Sequence, residues 1–74
     1  MPTVADFGGY RIAIYFDDHN PPHVHVIAAD FEGLVSIADA ELIAGHIPPR
    51  FRRHALDWIG RNRELLAGKW DECH

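Results

Sequence analysis

Two adjacent prolines, Pro21 and Pro22, interrupt the chain between two segments that are rich in β-branched and aromatic residues. Proline fixes φ at about −65° and has no backbone N–H, so it does not fit the interior of a central strand. The segments on either side, residues 10–16 and 23–28, have the composition of strands. The prolines therefore predict a rigid turn between two strands.

The two predicted strands present alternate side chains on opposite faces of a sheet. The apolar positions that share a face are Ile12, Ile14 and Phe16 in the first strand, and Val24, Val26 and Ala28 in the second. His23 and His25 project from the other face of the second strand. The alternation therefore predicts that both imidazoles project from the same side of the second strand.

The rest of the chain reads as further strands and then helix. Hairpin signals bound a third strand over 34–37 and a fourth over 41–44, which together predict an antiparallel meander. Proline at the first turn favours a helix over 49–63, and 64–70 has the composition of a final short helical piece. We therefore predict an α+β fold, with an antiparallel sheet of three to four strands followed by one or two C-terminal helices packed on one face.

The predicted helix is amphipathic. Its apolar side carries Phe51, Ala55, Leu56, Trp58 and Ile59 with Asn62, whereas Arg50, Arg53, Asp57, Arg61 and Glu64 lie on the opposite side. This spacing matches the 3.6-residue period of a helix that covers a sheet. Gly60 lies inside the pattern and costs about 1 kcal/mol relative to alanine, so it indicates either a break in the helix or a close backbone approach.

The length of 74 residues fits a single domain over 1–74. A chain of this size buries only about 60% of the surface that it exposes when unfolded, so a homodimer or a partner protein would add stability. The sequence has neither an apolar run of about 20 residues nor a secretion signal at its start, which predicts a cytoplasmic protein without a membrane span. The single cysteine, Cys73, excludes an internal disulfide framework.

The charges are unevenly distributed along the chain. Residues 1–49 carry one basic side chain against seven acidic ones, whereas residues 50–74 carry six basic against four acidic. The acidic N-terminal part disfavours a broad nucleic-acid surface. RNA is therefore not the favoured partner, and the basic segment suits either phosphate or an acidic protein surface.

The stretch around the prolines holds the most reactive side chains of the sequence. His19, His23 and His25 lie within seven residues, and Asp17 and Asp18 precede them. Imidazoles two apart on a strand can share a divalent metal such as zinc, with His19 or Asp17 as a third ligand. The favoured expectation is a protein without a cofactor, and this metal site, which depends on His46 or a second chain to close it, is the alternative.

The same histidines could instead perform acid–base catalysis. A His23 or His25 imidazole beside a carboxylate can remove a proton from a ribose 2′-hydroxyl, with His19 as a third member of the catalytic set. Arginines of the predicted helix would hold the phosphate. This pattern is consistent with a small RNase-like toxin.

A third interpretation makes the turn a docking surface. Asp17, Asp18 and Asn20 would present polar side chains from a turn stiffened by the prolines, and the partner would also contact the start of the helix through Arg50, Arg52 and Arg53. Cations in the first turn of a helix oppose its macrodipole, so these arginines do not stabilise the helix. This mismatch suggests that they contact a partner instead. A purely structural role, in which the imidazoles bond to neighbouring groups, remains open as well.

These motifs resemble the bacterial domain-of-unknown-function family numbered 4160. The resemblance is carried by the run from Asp18 to Val26, with its His-Asn-Pro-Pro-His-x-His core, together with the segment from Gly45 to Arg50 and a helix that contains Trp58. It spans essentially the whole chain. The family commonly has an aromatic residue at the position of Val24.

The resemblance implies a small cytoplasmic protein encoded beside another small protein, of the family numbered 2442, in a gene pair that resembles toxin–antitoxin modules. It implies no reaction. Our leading expectation is therefore a protein-interaction component of such a two-gene module, with the protein from the neighbouring gene as the partner.

Overall fold

A computed structural model of the chain describes residues 3–15 and 19–74. Within these residues five strands form one antiparallel sheet, in which the spatial order of the strands follows the sequence. The strands are β1 (Thr3–Asp6), β2 (Arg11–Ala13), β3 (His23–Ile27), β4 (Glu32–Ser36) and β5 (Leu42–Gly45), and they are followed by α1 (Pro49–Arg61) and α2 (Arg63–Cys73). The predicted α+β architecture and the meander are confirmed.

The sheet has one strand more than the three to four that the sequence predicts. The additional strand is β1, which pairs with β2 and has an irregular register between Thr3 and Ala5. Only Val4 and Ala5 are apolar in this segment, and they are adjacent, so the segment lacks the alternation that marks a strand. Strand β1 is therefore defined by its hydrogen-bonded pairing with β2, because its own sequence has no alternation of apolar and polar residues.

The strand register separates two faces of the sheet. Ile12 lies opposite Val26, and Val24 lies opposite Val35, so these side chains share one face. On the other face His25 lies between Ala13 and Leu34, and His23 lies opposite Ser36. The predicted division of β3 into a valine side and a histidine side agrees with this register, while Phe16 lies outside the described residues.

Both helices pack against the valine face. Ala55 and Ile59 of α1, and Leu66 and Trp70 of α2, belong to the same buried cluster as the valines of β3. The helices are separated at Asn62, where the backbone N–H and the side-chain amide both donate to the Trp58 carbonyl, at 3.1 and 2.8 Å. Among the residues that the structure describes, no helix has the length and apolar character needed to cross a bilayer.

The start of α1 is fixed without a side-chain cap. Pro48 is the N-cap residue and a proline occupies the first turn, where its missing N–H removes no helical hydrogen bond. The Arg52 Nε donates to the Ile47 carbonyl at 3.1 Å. Ile47 itself is fully buried over Gly33, where an added Cβ would come within 2.6 Å of it. The segment before the helix is therefore held by an isoleucine that fits against a glycine in β4.

Packing does not require glycine at either of the two glycine positions inside the helices. A Cβ at Gly60 would meet Ala40 at an ordinary contact distance of 3.8 Å, so the predicted close backbone approach is absent there and α1 continues through this residue. A Cβ at Gly68, in α2, would meet nothing within 4 Å. The two positions therefore carry the lower helix propensity of glycine without a compensating contact.

We expect Gly68→Ala to raise the free energy of unfolding by up to about 1 kcal/mol, because alanine restricts the unfolded chain and favours the helix. Urea unfolding followed by far-UV circular dichroism measures the change. A lower midpoint than that of the unaltered protein would contradict the open environment of this position.

Candidate functional site

Strand β3 brings two imidazoles together on the sheet face opposite its valines. His23 and His25 are two residues apart on the strand, and their ring centroids lie 5.2 Å from each other. Both residues are nearly buried, with 7% and 8% of their surface exposed. The structure therefore places these two imidazoles side by side, and both are recessed rather than displayed on the surface.

A carboxylate orients one of the two rings. His25 Nδ1 lies 2.7 Å from Glu32 Oε2, across the β3–β4 hairpin. A carboxylate accepts, so the ring nitrogen donates, and in the neutral imidazole the lone pair is then on Nε2. The Glu32 side chain is 49% exposed, so solvent weakens the electrostatic part of this contact. Glu32 thus fixes the orientation of His25 from the rim of the site.

Sequence reasoning missed Glu32 because it began the third strand at residue 34, which left Glu32 in the connection before the strand. In the structure β4 already begins at Glu32, which pairs with Ile27. The connection is shorter, and the Ala28 N–H donates to the Phe31 carbonyl at 2.9 Å. Glu32 is therefore the diagonal neighbour of His25 on one sheet face, which only the register of the hairpin reveals.

A backbone carbonyl orients the other ring. His23 Nδ1 donates to the Pro21 carbonyl at 2.8 Å, which again places the lone pair of the neutral ring on Nε2. The Asn20–Pro21 peptide bond of this turn is cis. The proline turn and the hairpin therefore hold the two imidazoles in the same tautomer.

Aromatic rings surround the pair. The Tyr15 ring meets His25 edge-on at a centroid distance of 4.3 Å, and the Trp70 ring lies 5.3 Å from His23. The His74 ring stacks on Trp70 at 3.8 Å, and its Nδ1 donates to the Trp70 carbonyl. The end of α2 therefore reaches the histidine pair, a contact that sequence reasoning did not anticipate for Trp70.

The other residues predicted for this site are placed differently. His19 and Asn20 are exposed in the turn, whereas Asp17 and Asp18 lie outside the described residues. Over residues 3–15 and 19–74, no three histidine, cysteine or acidic side chains are grouped as metal ligands. The metal and catalytic roles of the three histidines remain predictions, and the structure brings two of these residues, His23 and His25, into contact.

The predicted arginine cluster lies at the other end of β3. Arg50 is exposed, pairs with Asp30 at 3.7 Å and lies over the Phe51 ring at 4.8 Å. Asp30 follows β3, whereas the proline turn precedes it, and a strand of this length spans roughly 15 Å. Arg53 is also exposed, while Arg52 is half-buried with its Nε on the Ile47 carbonyl. The turn and the start of α1 are therefore separate surfaces.

His54, next in sequence to these arginines, belongs to an aromatic cluster. The Tyr10 hydroxyl and His54 Nδ1 are hydrogen-bonded to each other, and burial raises the pKa of Tyr10 above its ordinary value of 10.0. Phe7 packs edge-on against His54 and Trp58, at 5.0 and 5.6 Å. This cluster ties the β1–β2 hairpin to α1.

Comparison with known proteins gives one family. No curated protein and no solved structure matches the chain. Residues 9–71 match a family described as a domain of unknown function, DUF4160. The matched range contains the proline turn, the histidine pair, Glu32 and α1. The chain therefore belongs to the DUF4160 family.

Proposed function

We propose that this chain is a protein-interaction component of a two-gene regulatory or toxin–antitoxin-like module, and that it docks the small protein from the neighbouring gene. The observation that carries the proposal is the first turn of α1. This turn exposes Arg50 and Arg53, contains no acidic residue and has no side-chain cap. It therefore presents a cationic surface that the helix itself does not require.

The helix dipole supports a role for Arg50 and Arg53 in binding a partner rather than in stabilising α1. The helix dipole disfavours cations in the first turn by about 0.3–1 kcal/mol each, and acidic residues are favoured there instead. The pair between Arg50 and Asp30 is exposed on both sides, so it offsets little of that cost. Guanidinium groups suit bidentate binding of carboxylates. An acidic surface on the partner is thus the complement that we expect.

The exposed proline turn offers a second contact. His19, Asn20 and Pro21 are exposed, and Pro21 and Pro22 restrict the backbone before any partner binds. A surface that is already ordered loses less conformational entropy on association. Because β3 separates this turn from the start of α1, variants at the two ends identify which of them the partner contacts.

Co-purification of the untagged chain with the tagged product of the neighbouring gene tests the proposal. We expect Arg50→Glu/Arg53→Glu to weaken the complex at least tenfold, because two attractive contacts become repulsive. Arg61→Glu is the matched control, since Arg61 is also exposed on α1 but lies near the far end of the helix, where it pairs with Asp57 at 3.3 Å. His19→Ala/Asn20→Ala tests the turn.

Two outcomes would overturn the docking proposal. One is a folded, monomeric chain that never associates with its neighbour's product. The other is a complex that Arg50→Glu/Arg53→Glu and His19→Ala/Asn20→Ala both leave at full affinity. Circular dichroism of each variant shows whether the variant is still folded, so that loss of binding through unfolding can be distinguished from loss of a contact.

Acid–base cleavage of RNA is the second candidate function, and the contact between His25 and Glu32 favours it. A carboxylate on Nδ1 orients the ring so that Nε2 can act as a base. His23→Ala/His25→Ala distinguishes the candidates when growth arrest and RNA integrity are followed after induction. Loss of toxicity with docking intact favours the enzyme, whereas unchanged toxicity with intact RNA favours docking alone.

A further inference from the structure

One exposed apolar side chain lies beside the arginines of α1. In the described part of the chain three large apolar residues are exposed, namely Phe7, Ile43 and Leu65, and Phe7 exposes 37% of its surface. A single exposed apolar side chain is ordinary and needs no function. Phe7, however, contacts a helix residue next to Arg53, which makes it a candidate extension of the docking surface.

The Phe7 ring packs against α1 through His54. The two ring centroids lie 5.0 Å apart in an edge-on arrangement, and the Trp58 ring lies 5.6 Å from Phe7. His54 is exposed, directly follows Arg53 and lies four residues after Arg50. Residues three and four apart are neighbours on a helix surface, so these three side chains lie together. Phe7 therefore borders the part of α1 that carries the two exposed arginines.

A row of aromatic rings also connects Phe7 with Arg50. The centroids of Phe7 and Tyr10 are 5.2 Å apart, and those of Tyr10 and Phe51 are 5.3 Å apart. The Arg50 guanidinium lies over the Phe51 ring, 4.8 Å from its centroid. Tyr10 is buried and belongs to the main core. The exposed ring and the cation are therefore held in a fixed relation, which lowers the entropy lost when a partner binds.

The charges around this surface favour an acidic ligand. Carboxylates border it, and each has a partner within the chain: Asp6 with the Gly8 N–H, Asp30 with Arg50, and Asp57 with Arg61. Over residues 3–15 and 19–74, Arg53 is exposed and forms neither an ion pair nor a hydrogen bond through its side chain. Arg53 is therefore the cation most available to an incoming carboxylate.

We propose that the partner segment bound by this surface is acidic and carries one large apolar side chain, which packs on Phe7 while its carboxylates bind Arg50 and Arg53. The inference rests on the docking proposal, because it specifies the segment that the arginines recognise. Exposed ion pairs contribute little by themselves, whereas an apolar contact that excludes water adds affinity. Rings beside arginines also suit stacking of RNA bases, but the net charge of −4 and the bordering carboxylates disfavour an RNA backbone.

Phe7→Lys separates the apolar contact from the charge. The substitution adds a cation beside Arg53, so binding by charge alone predicts equal or tighter association with the product of the neighbouring gene. A contact with the ring predicts a complex about tenfold weaker, as is usual when an important interface aromatic is removed. Biolayer interferometry measures the change, which should appear mainly in the dissociation rate.

Leu65→Lys is the matched control for this substitution. Leu65 is 48% exposed and lies in α2, beyond the far end of α1, so the same chemical change should leave the affinity unaltered. Far-UV circular dichroism checks that both variants are folded.

A photoreactive benzoylphenylalanine at position 7 gives a second measurement that retains an aromatic ring there. Irradiation of the complex should crosslink position 7, and not position 65, to the partner. Mass spectrometry of the crosslinked peptide should then show acidic residues next to a large apolar one. This measurement decides the question if Phe7→Lys does not fold.

Several results would overturn the inference and leave the docking proposal intact. One is a folded Phe7→Lys variant that binds at least as tightly as the unaltered chain, and another is a complex without a crosslink at position 7. A third is a complex that only His19→Ala/Asn20→Ala weakens. Absence of any complex overturns both proposals, and binding of a labelled oligouridine that is lost in Phe7→Lys would assign the surface to RNA instead.

Discussion

Gly45→Ala is expected to lower the free energy of unfolding by about 2–5 kcal/mol. Gly45 has a φ of +75°, and a left-handed backbone costs a residue with a Cβ about 1–2 kcal/mol. The added Cβ would also lie 2.3 Å from the Glu32 carbonyl oxygen and 3.0 Å from the Gly33 Cα. Both of those atoms are backbone, so relief requires movement of β4 and adds about 1–3 kcal/mol.

The same carbonyl accepts the His46 N–H at 3.0 Å, so displacement of Glu32 also disturbs the exit from β5. Gly8→Ala is the matched control, because Gly8 has a φ of +87° but no atom within 4 Å of an added Cβ. Chemical denaturation should show a clearly larger loss for Gly45→Ala than for Gly8→Ala. Equal losses would mean that backbone strain alone acts at Gly45.

Trp70→Ala is expected to lower the free energy of unfolding by about 3–5 kcal/mol, the usual range for removal of a large buried aromatic side chain. Trp70 is 5% exposed, belongs to the main core and contacts His23. Globular proteins are stable by about 0.05–0.15 kcal/mol per residue, which gives this chain a total of about 4–11 kcal/mol. The variant should therefore be close to unfolding at room temperature.

Leu65→Ala provides the comparison within the same helix, because Leu65 is 48% exposed. We expect its effect to stay within about 0.5 kcal/mol, as for most surface substitutions. Urea midpoints of both variants, read by circular dichroism, give the difference. A Trp70→Ala protein as stable as Leu65→Ala would mean that the end of α2 does not contribute to the core.

The parts of the fold that could be predicted have strong local signals. Strand β3 was predicted at residues 23–28 and observed at His23–Ile27, because valine and histidine alternate there. Helix α1 was predicted over 49–63 and observed at Pro49–Arg61, because its apolar residues follow the helical period. The closeness of His23 and His25 follows directly from strand geometry.

The parts that could not be predicted depend on pairing between elements. Strand β1 lacks alternation and exists through its ladder with β2. The contact of Glu32 with His25 requires the register of the β3–β4 hairpin, and a slip by one residue would move Glu32 to the other face. The contact of Trp70 with His23 depends on how far α2 reaches across the sheet. Local sequence patterns carry none of this information.

Because each strand pairs with the strand that follows it in sequence, the sheet can assemble from hairpins that close short loops. The entropy lost on closing a loop grows with its length, so this topology keeps each closure inexpensive and the relative contact order low. The contacts between residues far apart in sequence are those that α1 and α2 make with the valine face. The order of the strands thus leaves the entropically most demanding contacts to the two C-terminal helices.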